Sequence, residues 1–202
     1  MSDSPFNNSH SAMLFAFNFS HQAYEPPLMN RLAWGPMAGI SKGLSGTDGS
    51  AQAGMILSRL SKLTVHQQNV LIAKFAPRTW PCSCRAPCCS GSKRNDMWEQ
   101  AISYLAQVAA AEALSGCISN NRLRVGIVKR IFGDKSMTLE QLAEKTGVSE
   151  KTAKNHSAAI KRWLLGARNL KTAVDYGLID LSLARADAVL EDAGIVTREV
   201  EC

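Results

Sequence analysis

No apolar run in this 202-residue chain approaches the ~18–20 residues that a membrane-spanning helix needs. Met13 to Phe19 is apolar but short, and no Lys or Arg precedes it, so a signal peptide is not expected either. The expectation is a cytoplasmic chain with no membrane partner. Strand-type alternation is scarce and no segment repeats. The sequence also lacks a phosphate-binding glycine loop, an HExxH helix and a nucleophile elbow. Carboxylates are scattered with no paired arrangement, and no cluster of arginines surrounds a Tyr or Ser as a recombinase would need. These absences predict a protein without catalytic residues and without a small-molecule substrate.

Acidic residues are scarce where basic ones are dense. Net charge is +6 and the pI is near 9.1. Residues 121–171 carry 12 Lys/Arg against 4 Asp/Glu, whereas 172–202 carry 2 against 7. A positive field concentrated in one segment favours a polyanionic partner with salt-sensitive affinity.

In a reducing compartment the six cysteines are expected as thiols or metal ligands, not disulfides. Four of them, Cys82, Cys84, Cys88 and Cys89, lie in CSCRAPCCSGS, with Arg78, Arg85, Lys93 and Arg94 nearby. Four thiolates suit a structural zinc ion, but zinc sites normally use two separated C-x2–4-C knuckles. The alternative is a loop of reduced thiols whose basic neighbours meet a partner or nucleic acid. Cations close by also favour the reactive thiolate, which allows redox sensing.

Residues 1–47 read as a flexible arm, rich in Ser and Asn and interrupted by Pro5, Pro26, Pro27 and Pro36. Phe15, Phe17, Phe19 and Tyr24 are unusual for a linker. They either pin the arm to the domain or form a segment that orders on a partner. Residues 48–118 read as helical, with the Cys-rich loop at 77–95. A first helix is capped near Asp48 or Ser50 and runs to about Leu63, its apolar side supplied by Met55, Ile56, Leu57 and Leu60. A second runs from Thr64 to Phe75. His66 has no obvious partner there. Asn95 or Asp96 caps a third helix to about Leu114, whose apolar face includes Trp98, Ile102, Leu105, Val108 and Ala109. Trp98 reads as a core anchor, and Cys117 as a small buried hydrophobe.

Residues 119–181 carry the strongest pattern. Leu123 to Phe132 is predicted helical, with Leu123, Ile127 and Ile131 inward and Arg122, Arg124, Lys129 and Arg130 outward. In TLEQLAEKTGVSEKTAKNHSAAIKRWLL, Thr138 and Gln141 have capping-box spacing. Leu139, Leu142 and Ala143 share a face, Ala143 is small where two helices cross, and Gly147 supplies a left-handed turn. Ser149 caps the next helix and Glu150 suits its positive end. Ala153, His156, Ile160, Trp163 and Leu164 face inward. That is a helix-turn-helix pattern. Ser149, Glu150, Lys151, Thr152, Lys154 and Asn155 open the second helix, where side chains reach base edges, and Lys161 and Arg162 suit phosphates. The alternative is a three-helix bundle whose basic face is solvated or docks on protein. After Leu165 the chain is expected to stay helical through Leu170, Ala173, Val174 and Leu178. Residues 182–202 form an acidic helix and tail. The expected fold is all-α: a multi-helix globular domain containing a helix-turn-helix, with an extended N-terminal arm.

SEKTAKNH resembles the recognition helix of GerE/LuxR-type domains and, more loosely, region four of sigma factors. Over roughly residues 44–165 the chain is similar to phage-derived Q-like transcription antitermination factors, among them activators of bacterial lysis genes. LSGTDGSAQAGMI and LIAKFAPRTWPCSCRAPCCSGSKRNDMWEQAISYL carry that resemblance. It implies a protein that loads from a promoter-proximal element in double-stranded DNA onto bacterial RNA polymerase with its sigma factor, then carries polymerase through terminators. The helix starting at Ser149 would read the element, and the Cys-rich loop or the aromatic arm would hold polymerase. The chain departs from the lambda branch of that family, which has two separated C-x2-C knuckles.

Overall fold

Trp98 is 2% exposed and donates its indole N–H to the Ala73 carbonyl at 3.0 Å. A buried indole needs such a partner, because an unpaired N–H costs about 1–3 kcal/mol. The chain folds as an all-α protein. The computed structural model describes residues 6–22, 46–82, 84, 90–167 and 175–196. Among them are eight helices: α1 (Ser9–Gln22), α2 (Gly46–Leu60), α3 (Val65–Phe75), α4 (Asp96–Glu112), α5 (Asn121–Ile131), α6 (Leu139–Thr146), α7 (Glu150–Leu165) and α8 (Leu178–Asp192). Two short ladders join them: β1 (Thr79–Pro81) with β2 (Ser92–Arg94), and β3 (Gly166–Ala167) with β4 (Asp175–Tyr176). The helices form two compact units.

The first unit draws on the described parts of Met1–Thr64, Phe75–Lys93 and Arg185–Cys202. Here the structure corrects the extended arm: residues 9–22 are helix α1, packed on α2. Ala12, Met13, Phe15, Ala16 and Phe19 are buried at helical spacing. Phe15 lies 5.3 Å from Phe6 and 5.2 Å from Phe19, ring to ring. Phe17 stacks on Phe75, and Asn18 donates its amide to the Phe75 carbonyl. The aromatic residues thus pin the segment, while Tyr24 lies outside the described residues. In α2, Ile56 and Leu60 are buried, but Met55 and Leu57 are exposed. The helix also ends at Leu60, three residues short of the expected Leu63.

The β1–β2 hairpin closes the Cys-rich loop, with the Cys82 N–H donating to the Gly91 carbonyl at 2.9 Å. Cys82 is half-buried and Cys84 exposed; Cys88 and Cys89 lie outside the described residues.

The second unit is Val65–Lys74 with the described parts of Arg94–Ala184. Asn95 caps α4, accepting from the Met97 N–H at 3.1 Å. The buried face of α4 meets α5, α6, α7 and the start of α8 in one core that includes Trp98, Ile102, Leu123, Ile127, Leu142 and Ile160. Cys117, read as a buried hydrophobe, is exposed. The expected continuous helix after Leu165 does not form. Gly166 adopts φ 74°, ψ −177°, and Gly166 and Ala167 then pair antiparallel with Tyr176 and Asp175. Leu170, Ala173 and Val174 lie outside the described residues. Helix α8 begins at Leu178, ahead of the expected Ser182, whose buried hydroxyl donates to the Leu178 carbonyl.

Candidate nucleic-acid interface

Helices α5, α6 and α7 pack against one another, and local sequence fixes each of their ends. Asn120 caps α5 through the Arg122 and Leu123 N–H groups. At the start of α6, Thr138 Oγ1 accepts from the Gln141 N–H at 3.2 Å and Gln141 Oε1 accepts from the Thr138 N–H at 2.8 Å. Such reciprocal caps satisfy two otherwise orphaned donors. Gly147 ends α6 at φ 68°, and Val148 N–H returns to the Ala143 carbonyl at 3.0 Å. Ser149 Oγ then accepts from the Thr152 N–H at 3.2 Å, starting α7 after a turn of Gly147, Val148 and Ser149.

Helix α7 buries Ala153, His156, Ser157, Ile160 and Leu164. Trp163, expected inward, is half-buried. The opposite face is exposed: Lys151, Asn155, Ala158 and Arg162 follow at i, i+4, i+7 and i+11, with Lys154 and Lys161 alongside. At about 100° per residue these six occupy about a third of the helix circumference, over about 16 Å of length from Lys151 to Arg162. Ala158 has no side-chain chemistry to mark it in the sequence. Its spacing places it on this line, where a methyl leaves room for close approach and suits apolar contact with a thymine methyl.

The other expected site residues are partly committed within the protein. Ser149 is occupied as the cap, and its hydroxyl also meets Thr152 Oγ1 at 2.8 Å. Glu150 lies 3.4 Å from Lys154 Nζ across one helical turn, an exposed pair worth little to stability. Lys151, Lys161 and Arg162 have no ion pair or hydrogen bond among the described residues. Among those residues, nothing competes with an external anion for their charges.

Three basic residues of α5 are used internally, which corrects their outward assignment. Arg124 bonds the Ala106 and Ser119 carbonyls, Ser119 Oγ and Asn121 Oδ1. Lys129 pairs with Glu99 at 2.6 Å and sits 5.6 Å from the Trp98 ring centre. Arg130 donates to the Met137 carbonyl. Only Lys129 is neutralised by an ion pair; Arg124 and Arg130 keep their charge but are held to uncharged acceptors.

A concavity of about 520 Å³ lies beside the α6–α7 turn, lined by Thr138, Glu140, Gln141, Glu144, Val148 and Glu150 among others. Its three carboxylates would repel a phosphate. Glu150 begins α7 next to Lys151, so the stripe starts beside this acidic rim.

His66, without an obvious partner in sequence, has two. Its Nδ1 lies 2.7 Å from Tyr104 Oη and its Nε2 3.2 Å from Glu112 Oε1. Glu112 Oε2 in turn accepts the Trp163 indole N–H at 2.9 Å. The four residues come from α3, α4 and α7, and nothing in local sequence spacing joins them.

Compared with known proteins, the chain matches no family profile, no curated protein and no solved structure.

Proposed function

We propose that this chain is a DNA-binding transcription regulator that reads double-stranded DNA with the exposed stripe of α7. The observation that supports this reading is the stripe itself. Lys151, Lys161 and Arg162 present exposed charge beside the Asn155 amide, on a helix braced by α5 and α6. Lys and Arg recognise guanine or phosphate, and Asn recognises adenine, by matching donors and acceptors in a major groove.

Within that class the resemblance favours a Q-like processive antitermination factor. It would load from a promoter-proximal element onto bacterial RNA polymerase with its sigma factor and allow read-through into downstream lysis-type genes. No chemistry on a substrate is needed, only differential binding to pausing and elongating polymerase. The test is transcription in vitro through a terminator placed far downstream. Read-through that requires both this protein and an upstream element is the expected result. A rise in initiation with unchanged termination would assign it instead as a GerE-type promoter regulator.

The thiol cluster has a separate test. One zinc per chain with Cys82, Cys84, Cys88 and Cys89 protected from thiol reagents would assign a structural metal site. No zinc with reactive thiols would assign a reduced loop.

A further inference from the structure

Glu112 closes α4 and uses both carboxylate oxygens. Oε2 accepts the Trp163 indole N–H at 2.9 Å, and Oε1 faces His66 Nε2 at 3.2 Å. With the proton on Nε2, His66 donates to Glu112, and its Nδ1 accepts from Tyr104 Oη at 2.7 Å. The His66 and Tyr104 rings also pack edge to face with centres 5.6 Å apart. The carboxylate is thus fixed on one side by α3 and α4, and on the other it holds a single side chain of α7.

The pairing of this carboxylate with His66 adds little to stability. His66 and Glu112 are 39% and 45% exposed, and pairs in such settings contribute only about 0–1 kcal/mol. What it fixes is orientation. Trp163 lies five residues beyond Ala158, about 140° around the axis, so a tether there acts on the roll of the helix. A side chain about 5–6 Å from the axis moves about 1 Å for a 10° roll. That displacement spoils bidentate contacts to base edges, whereas flexible Lys and Arg contacts to phosphate adjust.

We infer that Glu112 is a positioning residue for DNA recognition: by holding the Trp163 indole, it sets the roll of α7 and so the sequence specificity of the stripe. This rests on the reading that α7 meets DNA. Trp163 is the reporting side chain, and the His66–Tyr104 pair is what keeps the carboxylate from swinging away.

The experiment uses the full chain and a duplex selected by the wild-type protein from a random-sequence pool. Affinity for that duplex and for a scrambled one is measured in wild type, Glu112→Ala, Glu112→Gln and Trp163→Phe. Glu112→Ala and Trp163→Phe should each lower the specific-to-scrambled ratio by about tenfold, the scale of one mismatched base pair, with scrambled-duplex affinity and salt slope unchanged. Glu112→Gln should restore the ratio. Its carbonyl accepts from Trp163, and its amide donates to His66 Nε2 once the imidazole proton moves to Nδ1 and bonds Tyr104. The Trp163 indole N–H should exchange with solvent faster in Glu112→Ala than in wild type or Glu112→Gln. An unchanged ratio in Glu112→Ala and Trp163→Phe, or equal loss on both duplexes, overturns the positioning role while leaving DNA binding intact. Failure of wild type to enrich any duplex overturns the DNA reading itself, and the two failures are distinct.

Discussion

Gly126 on α5 faces Leu142 on α6 so closely that a β-carbon at 126 would stand 2.6 Å from Leu142 Cδ2. Leu142 is 5% exposed and belongs to the core, so it has little room to retreat. Gly126→Val should therefore cost about 1–3 kcal/mol through overpacking. Gly126→Ala should cost less, because it recovers part of the helix propensity that glycine gives up. Thermal denaturation of the two variants checks the order. Equal melting temperatures for wild type and Gly126→Val would remove the close crossing.

Two other glycines make a contrasting pair. Gly147 has φ 68° but open space around its absent β-carbon, so Gly147→Ala meets only the left-handed conformational cost, about 1–2 kcal/mol. Gly177 lies against the backbone of Leu164, Leu165 and Gly166, where β3 pairs with β4. Backbone held in a ladder cannot rotate away to make room. Gly177→Ala should be the more damaging substitution and should open the β3–β4 ladder, detected as faster amide exchange at Ala167, Asp175 and Tyr176 than in Gly147→Ala.

Removing the indole at position 98 separates packing from hydrogen bonding. Trp98→Ala should lose about 3–5 kcal/mol, the usual range for deleting a buried aromatic side chain. Trp98→Phe keeps most of the packing but leaves the Ala73 carbonyl without its indole donor, and should lose about 1–3 kcal/mol. Denaturant titration of both variants measures the difference. If Trp98→Phe proves as stable as wild type, the bond between α3 and α4 carries no net weight.

The elements that sequence reasoning placed well are those set by neighbours within a turn. Thr138 and Gln141, Gly147, and Ser149 with Thr152 act over three or four residues, and their chemistry is visible in the string. The cations of α5 were misplaced because their partners are distant: helical spacing turns Lys129 away from Leu123, but Glu99 lies 30 residues back. The same applies to His66, whose contacts to Tyr104 and Glu112 span 38 and 46 residues. Helix α1 is masked in the sequence by its Ser, Asn and Pro surroundings. Yet Ala12, Met13, Phe15, Ala16 and Phe19 already carried the spacing of a buried helical face. The α7 stripe is legible from its basic side chains, whereas Ala158 carries no charge or polarity to mark it.

The stripe yields the most direct prediction for binding. Lys154→Ala and Asn155→Ala remove side chains near the start of α7 that match base edges, and should weaken binding to a selected duplex by about 1–3 kcal/mol while changing scrambled-duplex affinity little. Lys161→Ala lies about two turns further along and should weaken binding to every duplex alike. It should also reduce the slope of log affinity against log salt by about 0.9, the contribution of one phosphate contact on B-form DNA. Lys154 carries one complication, because its ammonium is shared with Glu150 at 3.4 Å. Glu150→Gln should therefore raise affinity for the selected duplex by releasing Lys154, and affinity for both duplexes by removing a negative charge beside the stripe. Gel-shift titrations at several salt concentrations measure all four variants together. Wild-type behaviour in all of them would place the DNA contact, if there is one, on another face.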